Sequence, residues 1–150
     1  MPPTRAQLLA TTSKFFEAFS SWDFATIISM RTATCSGISL PPSKRMFTSP
    51  ANMKEAWEDS TKVFKSMKLC IIDESDTVVD EAARKVAVRI RGNSETVAGP
   101  FENEWIFILT MNEDGTLVDK IQHFCDTAVL SQLEKRVESA TGQEIKYGQA

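Results

Sequence analysis

The sequence predicts an α+β fold in which a cone-shaped, curved sheet packs against helices that come early in the chain. Three observations lead to this prediction. Residues 5–67 contain segments with apolar side chains at three- and four-residue spacing, which is typical of helices. Later segments alternate apolar and polar side chains, as strands do. Asn112–Gly115 has turn composition and joins two of those strands into a long hairpin.

Length and composition indicate one globular domain over residues 1–150. The chain has 42% hydrophobic and 25% charged residues, as ordinary soluble domains do. A net charge of −3 with scattered basic residues argues against nucleic acid as a partner. No apolar run reaches about 18 residues, so we expect no membrane partner. The 3 cysteines lack paired spacing, which favours reduced thiols in the cytoplasm and no metal site.

Two helices are predicted at the N-terminus. Thr4 is a plausible N-cap for the first, which carries several phenylalanines on one face and ends near Ser20. Asp23 can cap a shorter second helix that ends around Arg31.

A third helix is predicted after an irregular segment. Residues 33–50 contain Pro41 and Pro50, so we expect no regular structure there. Ser49 is a reasonable start for the third helix, which carries Trp57 within a clean apolar repeat.

The rest of the chain is predicted to form a sheet and one final helix. Residues 69–72, 77–79 and 85–91 have strand composition, and residues 92–94 are predicted to form a turn. Thr127 is expected to cap an amphipathic C-terminal helix, followed by a polar, frayed tail from about residue 141. Helices on one face of a curved sheet leave a conical pocket suited to a small ligand.

The first hairpin strand is apolar on both faces beyond Trp105. Ile106 and Ile108 point to one face, whereas Phe107 and Leu109 point to the other. A strand of this kind is buried on both sides, by helices and by a second layer or subunit. We therefore predict a homodimer formed through the sheet.

Several short motifs match a known superfamily. They are Trp22-Asp23-Phe24, Arg31 with Cys35, Leu40-Pro41, residues 99–105, Asp114-Gly115 and residues 120–126. Over about residues 5–135, these motifs and the order of the elements resemble the SnoaL-like branch of the nuclear-transport-factor-2-like superfamily found in fungal secondary metabolism.

The resemblance implies a function as well as a fold. The superfamily includes ketosteroid isomerases, scytalone dehydratase, limonene epoxide hydrolase, polyketide cyclases and proteins without catalysis. It implies a cofactor-free isomerase or cyclase acting on a hydrophobic polyketide, meroterpenoid or alkaloid intermediate. Two alternatives stay open: a non-catalytic small-molecule-binding or interaction module, and an epoxide hydrolase or dehydratase. The last requires paired carboxylates, and the sequence offers no convincing pair.

His123 is the first candidate catalytic residue, because it is the only histidine and occupies the position of a catalytic carboxylate in epoxide-hydrolase relatives. It can serve as a general base or a general acid. Asn103 and Trp105 share a strand face and can donate to an oxyanion. Arg31 can bind a phenolate or carboxylate, or cap its helix. Asp126 is expected to be an N-cap first and a pocket residue second.

Other candidates are expected to contact the substrate. They are Trp105, Phe107, Cys35, Trp57, Glu58 and Cys125. The loop after Arg31 has Thr34 and Gly37 where related sequences often carry an acidic residue and a histidine. That departure favours the binding-module alternative.

Overall fold

The computed structural model describes residues 1–42 and 46–146. Within them, one layer of helices packs against a seven-stranded mixed sheet, which confirms the predicted α+β class. The elements, in chain order, are α1 Arg5–Ser20, α2 Phe24–Ser29, β1 Arg31–Ser39, β2 Phe47–Thr48, α3 Met53–Val63, β3 Lys68–Ile71, a 3₁₀ turn Glu74–Asp76, β4 Val78–Asp80, β5 Lys85–Thr96, β6 Gly99–Met111, β7 Val118–Cys125 and α4 Thr127–Thr141.

The sheet has the order β2-β1-β7-β6-β5-β3, and β4 also pairs with β5. β1 and β7 run parallel, and the other neighbouring strands run antiparallel. The predicted hairpin of β6 and β7 is confirmed. Gly115 adopts φ +72° in its turn, and a Cβ there would lie 2.5 Å from Cβ of Pro3. The turn therefore requires glycine and supports the start of α1.

α1 covers the inner face of the sheet. Its predicted N-cap is confirmed, because the Thr4 hydroxyl accepts a hydrogen bond from the Gln7 amide. Phe15 and Phe16 are buried, and the ring of Phe16 lies 5.2 Å from that of Phe107 on β6 in an edge-on arrangement. Burying one such ring contributes about 1.5–3 kcal/mol, so this contact anchors helix to sheet.

β1 is an error of the sequence prediction, which made residues 33–50 irregular. The prolines come after the strand and do not prevent it. Cys35, Gly37 and Ser39 alternate inward and are buried, and β1 pairs with β7 in the middle of the sheet. A Cβ on Gly37 would lie 2.6 Å from Oγ1 of Thr48, so the small residue permits pairing with β2. Residues 43–45 of the predicted segment lie outside the described residues.

The predicted turn at residues 92–94 is also wrong, because β5 continues to Thr96. Gly92 lies within β5, and the ring of Trp105 packs over it. A Cβ at Gly92 would lie 2.6 Å from Cζ3 of Trp105 and 2.9 Å from Cδ2 of Leu69. This glycine provides room for an aromatic side chain, and the chain turns later, between β5 and β6.

Some helix boundaries differ from the predicted ones. α2 ends at Ser29 rather than around Arg31, because Arg31 already pairs with Val118 of β7. α3 begins at Met53, after Asn52, rather than near Ser49. Thr127, which was predicted to cap α4, is instead its first residue, and Asp126 is the N-cap. The predicted polar tail extends to residues 147–150, which lie outside the described residues.

The outer face of the sheet is open in the single chain. Ile106 is 47% exposed and Phe124 is 44% exposed, and the two residues are cross-strand partners. The described residues therefore form no second layer over the outer face of β6, and its cover by a second subunit stays a prediction. Arg89, Arg91 and Glu104 form exposed ion pairs beside these apolar residues.

Candidate functional site

An apolar pocket lies between the helices and the inner face of the sheet. Its cavity volume is about 200 Å³. The wall is rich in aromatic rings, and all 3 tryptophans of the chain contribute to it. Its aromatic residues are Phe15, Phe19, Trp22, Phe24, Trp57, Phe64, Phe101, Trp105 and Phe107. Among the described residues that line this pocket there is no Asp or Glu. Such a wall suits a compact apolar ligand.

The α1–α2 turn and α3 bring together an aromatic cluster at one side of the pocket. The ring centroids of Trp22 and Trp57 lie 4.6 Å apart, and those of Phe24 and Trp57 lie 5.8 Å apart. Trp22 has φ +53°, a left-handed conformation in which glycine is usual after a helix. The sequence prediction included Trp57 but not Trp22 or Phe24, although their motif contributed to the resemblance.

His123 lies on β7, in the wall of the pocket, and is 7% exposed. Its ring is stacked on Phe107 with 5.2 Å between centroids. Nε2 lies 3.4 Å from Oγ of Ser39, and Nδ1 has no hydrogen-bond partner among the described residues. Burial lowers the pKa of His123 to about 4. The imidazole is therefore neutral near pH 7, with one nitrogen that donates and one that accepts.

The parallel pairing of β1 and β7 fixes the position of His123. Ser39 is its register partner, and the Leu40 amide donates to the His123 carbonyl at 2.8 Å. Ile121, His123 and Cys125 all line the pocket, as strand alternation predicts. Ser39 was missed from the sequence, because the strand that carries it was not predicted.

Arg31 lies where α2 gives way to β1, and it also lines the pocket. Its guanidinium lies 5.6 Å from the ring centroid of Phe15, and Nη1 lies 3.8 Å from Sδ of Met53. Nε is buried without a hydrogen-bond partner among the described residues. Burial lowers the pKa of Arg31 below its ordinary value, but arginine stays cationic in proteins. The pocket thus contains a positive charge.

Six of the residues predicted from sequence line the pocket. They are Arg31, Trp57, Trp105, Phe107, His123 and Cys125. They come from three strands and the third helix, and the fold brings them together around one cavity.

Asn103 and Asp126 lie outside the pocket lining. The Asn103 side chain donates to the Asp126 carbonyl at 3.1 Å and accepts from the Glu104 amide at 2.8 Å. The Asp126 carboxylate accepts from the Ala128 and Val129 amides, which confirms it as an N-cap. The Asn103 side chain therefore ties β6 to the N-cap of α4, and neither residue has a part in the proposed chemistry.

Cys35 and Glu58 also lie outside the lining. Cys35 is buried in the core, and burial raises the pKa of its thiol to about 11 in spite of the nearby Arg31 charge. The thiol is therefore protonated and a poor nucleophile. Glu58 is exposed on α3, with its carboxylate 3.9 Å from Nζ of Lys54. Neither side chain is therefore placed to contact a ligand in the pocket, contrary to the prediction.

Residues 1–42 and 46–146 contain no group of three or more His, Cys, Asp or Glu side chains arranged to hold a metal ion. In the same part of the chain, no helix combines the length and the apolar character needed to cross a membrane.

Comparison with solved structures gives the class of the fold. An NTF2-like protein from Burkholderia pseudomallei K96243 superposes with a TM-score of 0.67 at 12% identity, covering 85% of this chain and 96% of that one. A SnoaL-like protein from Jannaschia sp. CCS1 gives 0.67 at 11% identity, over 89% and 94%. These likenesses concern the fold alone. The chain has the cone-shaped α+β fold of the SnoaL-like proteins within the NTF2-like superfamily.

More similar proteins give the family, although no family model matches the chain. Austinoid biosynthesis cluster protein S from Aspergillus calidoustus is 39% identical over 136 residues, which cover 91% of this chain and 94% of that protein. The structure of PrhC from Penicillium brasilianum NBRC 6234 is 34% identical with a TM-score of 0.85, over 92% and 94% of the two chains. The BvnE pinacolase of Penicillium brevicompactum is 25% identical with a TM-score of 0.83, over 91% and 94%. The chain belongs to the family of the austinoid biosynthesis cluster proteins, which confirms the predicted fungal secondary-metabolism branch.

Proposed function

We propose that this protein is a cofactor-independent isomerase or cyclase in fungal natural-product biosynthesis. Its substrate is a mostly apolar polyketide, meroterpenoid or alkaloid intermediate. The observation that carries the proposal is a neutral, buried His123 in the wall of an aromatic pocket. Relatives named for austinoid biosynthesis and a similar structure named a pinacolase support a biosynthetic role of this type.

In this proposal His123 begins as a general base. With a pKa of about 4, it is neutral at pH 7 and can accept a proton from a carbon or hydroxyl of the ligand. The imidazolium formed in that step then returns the proton to another atom of the ligand. The reaction leaves the composition of the ligand unchanged, so no cofactor is required. Positioned acid–base catalysis of this kind contributes about 10²- to 10⁴-fold in rate.

The other pocket residues orient the ligand in this mechanism. Arg31 and Trp105 are the candidate donors to ligand oxygen atoms, and Ser39 lies beside the imidazole. Trp57 and Phe107 shape the wall and favour one reactive conformer of a flexible ring system.

One alternative from another class is favoured by a specific observation. The described lining of the pocket lacks any acidic residue, and a binding module without chemistry would have the same wall. An epoxide hydrolase or dehydratase, in contrast, would need paired carboxylates at this place.

We further propose that the protein is a cytoplasmic homodimer. The exposed Ile106 and Phe124 on the outer face of the sheet favour contact with a second copy. Free thiols at Cys35 and Cys70 are compatible with a reducing compartment.

The function is tested with an extract of a fungal strain in which this gene is deleted. Purified protein should convert an accumulated compound into a product of identical mass, and mass spectrometry after chromatography measures this. A product that gains or loses one water would instead indicate a hydrolase or a dehydratase. If no compound in the extract is converted although one binds, the binding module is the better description.

Replacing His123 identifies the residue that transfers the proton. His123→Gln should lower turnover at least about a hundredfold while leaving the fold intact, because it removes the base. Gln122→Ala is the matched control, since Gln122 is the neighbouring residue on the opposite face of β7. Unchanged turnover in His123→Gln would remove this residue from the mechanism.

A further inference from the structure

The pocket contains a positive charge for which the described residues provide no counter-ion. Arg31 is the single Lys or Arg side chain in the described lining. No Asp or Glu in residues 1–42 and 46–146 forms an ion pair with it. Residues 43–45 and 147–150 contain neither Asp nor Glu in the sequence. Arg31 is partly buried, and a charge held in an apolar wall is less favourable when it has no counter-ion.

The groups nearest Arg31 do not neutralise it. Phe15 offers the face of its ring and Met53 a thioether sulfur, and both are weak, uncharged partners. The thiol of Cys35 is close enough to affect the pKa of Arg31, but its own raised pKa keeps it uncharged. The Asp119 carboxylate accepts hydrogen bonds from the hydroxyls of Thr32 and Thr34 instead.

We infer that the ligand of this pocket carries a carboxylate, which Arg31 binds in the ground state. The inference rests on the proposed function only in taking this pocket as the ligand site. In this inference the negative charge that Arg31 binds belongs to the ligand before the reaction starts, and it does not form during the reaction.

The geometry favours a carboxylate over other oxygen groups. Arg31 lines the pocket without an acidic partner among the described residues, and a guanidinium can hold both oxygens of one carboxylate. A ketone or ester carbonyl would offer a dipole but would leave the positive charge unpaired. A phosphate carries more negative charge than one arginine neutralises. The rest of the wall is apolar, so the acid has a bulky hydrocarbon body.

Two probes of equal shape test this inference. Adamantane-1-carboxylate and adamantane-1-carboxamide both offer a compact apolar cage, but only the first is charged at pH 7.5. Because all 3 tryptophans line the pocket, their fluorescence reports occupancy, and neither probe absorbs where tryptophan does. We expect the carboxylate to bind about tenfold more tightly than the carboxamide, since charged hydrogen bonds are stronger than neutral ones.

Variants assign the preference to Arg31. Arg31→Met should abolish the difference between the probes, whereas Arg31→Lys should keep part of the difference. Arg136→Met removes one exposed arginine on α4 and should change neither affinity. Circular dichroism checks that each variant is folded.

Equal affinities for the two probes in the wild-type protein would overturn the inference, and this comparison needs no variant. Failure of the carboxylate to bind at millimolar concentration would also overturn it, as would a preference that persists in Arg31→Met. The His123→Gln variant should retain the preference for the carboxylate. A loss of turnover without a change in that preference separates the proposed catalysis from the proposed recognition.

Discussion

At the scale of single residues, His123 illustrates what a sequence can and cannot predict. The strand pattern places His123 on one face with Ile121 and Cys125, but it did not show that this face is the inner one. The charge of His123 does not follow from that pattern. The pKa of about 4 arises from burial under α1 and beside β1, and β1 was not predicted. The sequence left open whether His123 acts as a general acid or a general base. Its neutral state in the folded chain favours the general base.

Burial of His123 should make the free energy of unfolding depend on pH. The folded-state pKa of about 4 lies below the ordinary value of 6.5, so the unfolded chain binds a proton that the folded chain excludes between these values. The stability contributed by neutral His123 is present above pH 6.5 and is lost as the pH falls. The loss approaches about 3 kcal/mol at pH 4, at 1.36 kcal/mol per pKa unit.

Urea unfolding at pH 7 and pH 4.5 measures this effect in wild type and in His123→Gln. The wild-type protein should lose more stability than the variant, because glutamine does not titrate. The difference between the two proteins isolates His123 from the carboxylates that also titrate in this range. Equal losses would show that His123 has an ordinary pKa in the folded chain.

At the scale of elements, the strongest sequence predictions were those in which local chemistry and tertiary contacts agree. The β6–β7 turn and the cap at Thr4 are two such cases. The failures share a physical reason. In β1 and at Gly92, small residues serve close packing against another strand or against Trp105, whereas their sequence suggests loops. Only the tertiary partner shows whether a small residue permits close packing or belongs to a loop.

The α1–α2 turn offers a test of how Trp22 is accommodated. Its left-handed backbone conformation costs about 1–2 kcal/mol in a residue with a Cβ, whereas glycine avoids that cost. Its ring packs on Trp57 and Phe19 and contributes to the pocket wall. Trp22→Gly should therefore be more stable than Trp22→Ala by about 1 kcal/mol, although both lack the ring.

Urea unfolding of the two Trp22 variants measures this difference. Both variants should also bind adamantane-1-carboxamide more weakly than the wild type, because each removes the same part of the wall. An alanine variant as stable as the glycine variant would mean that the turn relaxes to another conformation once the ring is removed.

At the scale of the whole molecule, the two faces of the sheet differ in chemistry. The inner face carries the pocket, and the outer face combines Ile106 and Phe124 with paired charges of both signs. The exposed strip of Arg89, Arg91, Glu102 and Glu104 is equally basic and acidic, so two copies can meet without net repulsion. The sequence predicted that a second copy covers this face, and the exposed residues indicate where it would lie.

Ile106→Glu tests the dimer through this face. Light scattering at micromolar concentration should give a dimer for the wild type and a monomer for the variant, because a carboxylate replaces an apolar side chain in the contact. Arg136→Met, on α4, should remain dimeric. A monomeric wild type, or a variant that stays dimeric, would contradict assembly through the outer face.

The layout of the whole chain was largely predictable, since the helices come first and the hairpin strands come late. The set of residues that line the pocket was less predictable. His123 and Arg31 are separated by most of the chain, and they share a cavity only because β1 pairs with β7. The neutral state of His123 and the absence of a counter-ion for Arg31 among the described residues both arise from that shared apolar wall.

The central claim is that neutral His123 is the base of the reaction, and the pH dependence of kcat/KM tests it most directly. The measurement uses the compound that accumulates in the gene-deletion extract. We predict a rate that is constant from about pH 5.5 to pH 8 and falls at lower pH toward a pKa of about 4, because protonation removes the base. A rate that instead falls as the pH rises through 6 to 7 would show that the protonated imidazole is the active form, and would contradict the claim.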